Sequence, residues 1–131
     1  MSPAARERVS VLIPARNEAE NIANAVRSAA AQPEAIEIIV VDDVSDDCTP
    51  AILDELRTQI PQLRVLTVGD PPKGWLGKSH ALSVASHEAA GNWLLFTDAD
   101  TVQRPGSLGQ MLEKARRDHV DLRSNSWMRR S

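Results

Sequence analysis

The chain has 131 residues, enough for one domain and hardly for two at roughly 100–200 residues per domain. Apolar types make up 42% and charged types 25%, the balance of a soluble globular protein, and a net charge of −3 gives no general reason to bind nucleic acid or acidic membranes. The single cysteine, Cys48, excludes an internal disulfide framework and a multi-cysteine zinc site, and the longest apolar runs fall far short of the ~20 residues that span a bilayer.

The first apolar run, Val9 to Ile13 (VSVLI), reads as a buried strand ended by Pro14. Asn17 and Glu20 then stand at capping-box spacing, and Ile22, Val26 and Ala29 or Ala30 recur at helical period until Gln32-Pro33. Ile36 to Val41 (IEIIVV) is the clearest strand, β-branched and nearly all apolar. Thr49-Pro50 predicts a capped helix start, continued by Ile52, Leu53 and Leu56 to about Ile60, and Leu63 to Val68 predicts a third strand. Gly69 to Lys78 (GDPPKGWLGK) is too rich in Gly and Pro for a regular element and reads as a loop, a plain surface loop with a buried Trp75 being the alternative to a ligand-binding one. Ser79 to Ala90 predicts a helix ended by Gly91, Trp93 to Thr97 a fourth strand, Pro105 to about Arg117 a last helix, and Val120 to Leu122 the start of a fifth strand. Strands that are almost continuously apolar and alternate with helices imply parallel β-α-β units with helices on both faces of a sheet.

Three polar clusters follow predicted strands immediately: Pro14 to Glu18 (PARNE), Asp42 to Thr49 (DDVSDDCT) and Asp98 to Asp100 (DAD). In open parallel sheets the ligand crevice lies at the carboxyl ends of strands, so these clusters are expected to converge on one rim. Carboxylates one residue apart, as Asp98 and Asp100 are, suit a hard divalent cation that keeps waters and shares phosphate oxygens with a nucleotide. Taken alone, the same pair reads equally as a solvated turn. Ser45, Asp46, Asp47 and Thr49 are natural turn and capping residues, but four acids within six residues repel one another unless they are hydrogen-bonded or face a cation. That argument singles out Asp42 and Asp43, either of which can accept a hydrogen bond from a base or sugar. Gly77-Lys78-Ser79 invites comparison with a phosphate-binding P-loop, yet the spacing needs glycine where Pro72 stands. Lys78 can still approach a diphosphate as a point charge, and Arg16 is a second cation at a strand end. His80 and His87 lack a third metal ligand, Cys48 has no adjacent base, and Trp75, Trp93 and Phe96 are too scattered for a nucleic-acid stacking platform.

The runs VSVLIPARNEAENI, IEIIVVDDVSDDCT and NWLLFTDAD, in that order, resemble the N-terminal half of family 2 glycosyltransferases. The resemblance covers about Val9 to Leu122, with residues 1–8 as an extension and 123–131 as a polar, solvated tail carrying Arg123, Arg129 and Arg130. The PPKGWLGKSHAL segment is similar to the branch containing hopanoid-associated and carotenoid-type enzymes. What this implies is a GT-A fold, a Rossmann-like, mainly parallel α/β sheet, with a nucleotide-sugar site and Mg²⁺ or Mn²⁺. By analogy Pro14, Arg16 and Glu18 line the nucleoside pocket, Asp43 contacts the base with Asp42 nearby, and Asp98 approaches the ribose. Asp100, with Asp98, is implied as metal ligand, and Lys78 lies near the diphosphate. A UDP-sugar is the favoured donor and a GDP-sugar the alternative, at a cytoplasmic location with the inner membrane face as the family's usual site of action.

In the family an acceptor-side half follows the D-x-D region and supplies the acidic base that deprotonates the acceptor. Only about thirty residues follow DAD, so no catalytic residue is assigned, and donor binding with absent or very weak transfer is expected. A sheet belonging to a larger domain also has an uncovered edge, for which self-association is the expected remedy. Two other classes compete. DADTV fits the nucleophile motif of haloacid-dehalogenase-type phosphatases, with Asp98 attacking phosphorus, although only Lys114 follows it. IEIIVVDD resembles the acidic pair of receiver-type signalling modules, although a β-α unit precedes it.

Overall fold

The computed structural model describes residues 8–69, 73–74, 77–117 and 127–129, with the side chains at 77–79, 116 and 127–129 excepted. The elements run β1 (Val9–Ala15), α1 (Ile22–Ala30), β2 (Ala35–Asp42), α2 (Thr49–Gln59), β3 (Leu63–Thr67), α3 (Gly77–Glu88), β4 (Trp93–Phe96), α4 (Ser107–Arg117) and β5 (Trp127–Arg129). They form one sheet in the order β3-β2-β1-β4-β5. The first four strands are mutually parallel, and β5 runs antiparallel to β4.

Strand alternation sorts the side chains onto two faces. Val9, Val11 and Ile13 of β1, Ile38 and Val40 of β2, and Trp93 and Leu95 of β4 pack in one cluster with α1, α2 and α4. Leu12, Ile39, Val41 and Leu94 point the other way and pack with Ala81 and Ala85 of α3 and with Ala89 just after it. Both faces of the central strands are therefore apolar, which is why their sequences show continuous runs rather than alternation. Helices cover both faces as the sequence implied.

Several local expectations are corrected. Pro14 lies within β1 instead of ending it, opposite Val41 of β2. Its missing N–H leaves no gap because that side of β1 faces β4, whose pairing with β1 stops at Leu12 and Phe96. The last contact on that side is the Thr97 N–H donating to the Leu12 carbonyl at 3.0 Å. α1 begins at Ile22 with no side-chain cap, so Asn17 and Glu20 do not form the capping box. α2 likewise starts after Cys48 without a side-chain cap, and the Thr49 hydroxyl is engaged elsewhere. α3 ends at Glu88, three residues before Gly91, and Gly91 lacks the positive φ of a helix-ending glycine. A Cβ on Gly91 would lie 2.6 Å from the Arg8 carbonyl oxygen and 2.7 Å from the Ser10 nitrogen, so glycine is required there by close backbone approach.

The expected strand at Val120 to Leu122 and the environment of Trp75 lie outside the described residues. Part of the segment read as a solvated tail is instead β5, with Trp93 opposite Arg129 and Leu95 opposite Trp127. Three residues are too few to carry a periodic signal, and the open edge of β4 supplies what their sequence lacks.

The amino ends of the strands close around a buried acid. Glu37, only 7% exposed, accepts the Ser10 hydroxyl and the Ala90 N–H, each at 2.6 Å, and pairs with Arg64 at 3.1 Å. Arg64 also donates to the Glu88 carbonyl and pairs with its carboxylate at 3.1 Å, while the Gly91 N–H donates to Ser10 Oγ. Burial pushes the Glu37 carboxyl up, but the Ala90, Ser10 and Arg64 donors together outweigh it and hold the group below its ordinary value. This network fastens the C-terminal end of α3 to β1, β2 and β3.

Candidate functional site

The sheet order places β2 and β3 on one side of β1 and β4 on the other, so the chain reverses direction of travel at β1/β4. At such a switch point the loops leaving adjacent strands diverge and open a crevice. Here a cleft of about 480 Å³ occupies that position, lined by Pro14, Ala15, Arg16, Glu18, Asp43, Ala81, Asp98, Ala99 and Asp100. The volume falls in the range of small-molecule sites, roughly 300–1,000 Å³. The residues come from the carboxyl ends of β1, β2 and β4 and from α3, which passes over the opposite face.

Of the residues singled out from sequence, Pro14, Arg16, Glu18, Asp43, Asp98 and Asp100 all line this cleft. Asp42 does not. Its carboxylate is buried and accepts the Ser45 hydroxyl at 2.6 Å and the Ser45 N–H at 3.2 Å, so it orders its own loop instead of facing a ligand. The reason is strand alternation: consecutive aspartates cannot point the same way, and Asp43 takes the cleft side. Lys78 belongs to the first turn of α3, and its side chain lies outside the described residues. Cys48 and His87 are exposed, His80 is half-buried, and none of the three lines the cleft.

Sequence reasoning missed two things. The first is the floor: Ala15, Ala81 and Ala99 are buried small residues that let β1, α3 and the β4 loop approach closely. Nothing distinguishes such alanines from ordinary core alanines before the fold is known. The second is how the β1 and β2 loops are joined. Three consecutive backbone N–H groups of the first loop donate to side chains of the second: Asn17 to Ser45 Oγ (3.0 Å), Glu18 to Thr49 Oγ1 (3.0 Å) and Ala19 to Asp47 Oδ2 (3.2 Å). In return the Asp46 N–H donates to Asn17 Oδ1 at 2.7 Å. The hydroxyl and N–H of Thr49, with the Ala19 N–H, hold the exposed Asp47 carboxyl below the usual aspartate range. Residues that suggested helix caps are therefore used between loops. Both loops contain a left-handed residue, Asn17 at φ 54° and Val44 at φ 48°. Asparagine tolerates that region, whereas a β-branched residue is strained there, and Val44 is 52% exposed and gains little from burial.

Among the described residues the cleft carries four carboxylates against one guanidinium. Asp98 and Asp100 are exposed on either side of buried Ala99. Among the described residues no group of three or more His, Cys, Asp or Glu is arranged to hold a metal ion by itself.

A mainly parallel α/β sheet with an acidic crevice at its switch point is the doubly wound class of ligand-binding fold, and sequence comparison places it more narrowly. The chain matches glycosyl transferase family 2 over residues 10–130 and belongs to that family. It is 33% identical over 114 residues to the succinoglycan biosynthesis protein ExoU of Rhizobium meliloti, covering 87% of this chain and 32% of the relative. It is 33% identical over 94 residues to the 4,4'-diaponeurosporenoate glycosyltransferase of Staphylococcus haemolyticus, covering 72% of this chain and 24% of that protein. The chain thus spans a third or less of the length of these relatives.

Among solved structures, S. aureus TarS in complex with UDP-GlcNAc superposes with a TM-score of 0.68 at 27% identity, covering 87% of this chain and 32% of that one. The mannosyltransferase PcManGT of Pyrobaculum calidifontis, in complex with GDP-Man and Mn²⁺, gives 0.70 at 28% identity, covering 84% and 32%. The phosphatase and receiver alternatives gain no support from these matches. No helix among the described residues is long and apolar enough to cross a membrane.

Proposed function

We propose that the switch-point cleft binds the nucleoside diphosphate of a sugar donor together with a divalent cation, as the donor half of a sugar-transfer enzyme. The observation that carries this reading is the charge of the cleft. A nucleoside diphosphate is itself anionic, and the four carboxylates that stand against Arg16 among the described residues of the cleft disfavour it unless further positive charge, above all a cation, enters with it. Asp98 and Asp100 fit that need: two exposed hard-oxygen donors leave the remaining positions of a Mg²⁺ or Mn²⁺ ion to phosphate oxygens and water.

Within this reading Arg16 and Lys78 supply positive charge to the diphosphate, and Pro14, Glu18 and Asp43 bound the nucleoside, with Asp43 accepting a hydrogen bond from the base and Asp98 close to the ribose. When bound, the cation neutralises charge that develops on the nucleoside diphosphate as it leaves the sugar. The protein's own part is to fix the two aspartates and the arginine before the donor arrives, so that no reorganisation is needed when that charge develops. The neighbours solved with UDP-GlcNAc and GDP-Man support both nucleotides as candidates, and UDP is preferred here only as the common donor of the family that the motifs resemble.

The test is titration calorimetry of the chain with UDP and GDP, with and without Mn²⁺. Metal-dependent binding that disappears in Asp100→Ala supports the reading. Equal binding with and without metal, or undiminished binding by the variant, overturns the role given to the aspartates.

A further inference from the structure

Resting on that nucleotide-site reading, we infer that Asn17, which does not line the cleft, is the positioning residue that sets nucleotide affinity by locking the β1 and β2 loops together. Arg16 and Glu18, on either side of Asn17, face the cleft from one loop, and Asp43 faces it from the other. The strands beneath fix where these loops start. The Asp43 N–H donates to the Ala15 carbonyl at 2.9 Å, which is the last backbone bond between them. Beyond that point the loops are held by side chains, and Asn17 stands at the crossing. Its N–H donates to Ser45 Oγ, whose own proton goes to Asp42, and its Oδ1 accepts the Asp46 N–H at 2.7 Å.

Three requirements meet at this position. The backbone sits at φ 54°, where asparagine and glycine are comfortable and most residues are not. The side chain must offer an acceptor to the Asp46 N–H, which glycine cannot do. An uncharged side chain also adds nothing to the repulsion among Asp42, Asp43, Asp46 and Asp47 of the facing loop, an advantage that salt reduces. Asparagine meets all three, aspartate two and glycine two. Without the Asn17 Oδ1–Asp46 bond the loops keep only the N–H bonds of residues 17–19, Arg16 and Asp43 are held less closely, and the donor must then supply part of the ordering that the free protein now has built in.

The experiment uses Asn17→Gly and Asn17→Asp in the whole chain, with Mn²⁺-dependent UDP and GDP titration and amide hydrogen exchange. Asn17→Gly keeps the backbone conformation and removes the acceptor. It is expected to weaken nucleotide binding roughly tenfold, the scale of one lost hydrogen bond to a backbone donor. It also speeds exchange at the Asp46 N–H, with α1 and α2 retaining their protection. Asn17→Asp restores the acceptor, and its affinity is expected within about threefold of the parent at physiological salt, where surface repulsion is screened.

Parent-like affinity and protection in Asn17→Gly overturn the inference. If the parent chain binds neither nucleotide, the nucleotide reading fails, and exchange at Asp46 still decides the interlock: unchanged protection in Asn17→Gly refutes it. Should Asn17→Gly not fold, Ser45→Ala removes the other half of the crossing, and undiminished affinity and protection in that variant refute it equally.

Discussion

The two ends of this sheet are built on opposite principles. At the amino end a single carboxylate, Glu37, is buried and surrounded by donors from β1, β3 and the segment after α3. At the carboxyl end four carboxylates face an open cleft with one arginine among them. The first arrangement satisfies every partner internally and therefore serves stability. The second gathers exposed negative charge at an open cleft, where the proposed function has a cation arrive with the ligand. Burial alone does not separate the two ends. What separates them is that Glu37 meets its donors within the protein, whereas the proposed function gives the cleft carboxylates a partner from outside.

Substitutions at the two ends should therefore trade stability against binding in opposite ways. The largest effect on stability is expected from Gly91→Ala, since its Cβ would collide with backbone atoms of Arg8 and Ser10 that cannot move without distorting β1. Thermal or urea denaturation should show a loss of about 3 kcal/mol or a chain that does not fold. A loss below about 1 kcal/mol would mean that the amino end is loosely packed.

Next comes Glu37→Ala, which strands the Ser10 hydroxyl, the Ala90 N–H and the Arg64 guanidinium together. The expected cost is about 2–3 kcal/mol in the same assay, with nucleotide binding kept at temperatures where the variant is folded. The same network fixes a pH dependence. Because the folded-state value of Glu37 lies below its ordinary 4.5, its contribution is present above about pH 4.5 and is lost as pH falls through the lower, folded value. Denaturation curves across pH 3–6 should flatten in Glu37→Gln on the acid side.

Val44→Gly tests the strain at the carboxyl end. Relieving a β-branched residue at φ 48° offsets the entropic cost of glycine, so a gain of up to about 1 kcal/mol is expected, with exchange at residues 43–48 unchanged or faster. The smallest stability change belongs to Asp100→Ala, about 0.5 kcal/mol or less and in the stabilising direction, because an exposed like charge is removed. That variant has the largest effect on metal-dependent nucleotide binding. A marked loss of stability there would refute the contrast between the two ends.

The sequence made the strands, the helices and the acidic rim legible because each rests on local signals. β-branched runs with no polar interruption mark buried parallel strands, and polar clusters following them mark loops at the carboxyl ends. The errors fell where a residue's partner is remote in sequence. Asn17, Ser45 and Thr49 have the side chains of helix caps, but a cap and a bridge to another loop use the same atoms, and only proximity selects between them. Nothing in the run IEIIVV marks Glu37 as the centre of a network, because Ser10, Arg64 and Ala90 are 27, 27 and 53 residues away. Gly91 looked like a helix terminator because glycine has two uses, left-handed turns and close approach, and the chain alone does not say which applies.

What the amino-acid sequence determined by itself was the alternation of strands and helices, the family, and the identity of six acidic, basic and proline residues that line the cleft. These follow from side-chain type and spacing. The tertiary structure decided which of two adjacent aspartates faces the cleft, how the two loops are tied, and that a short C-terminal segment completes the edge of the sheet. Those outcomes depend on strand register and on contacts between distant parts of the chain, and no local pattern encodes them.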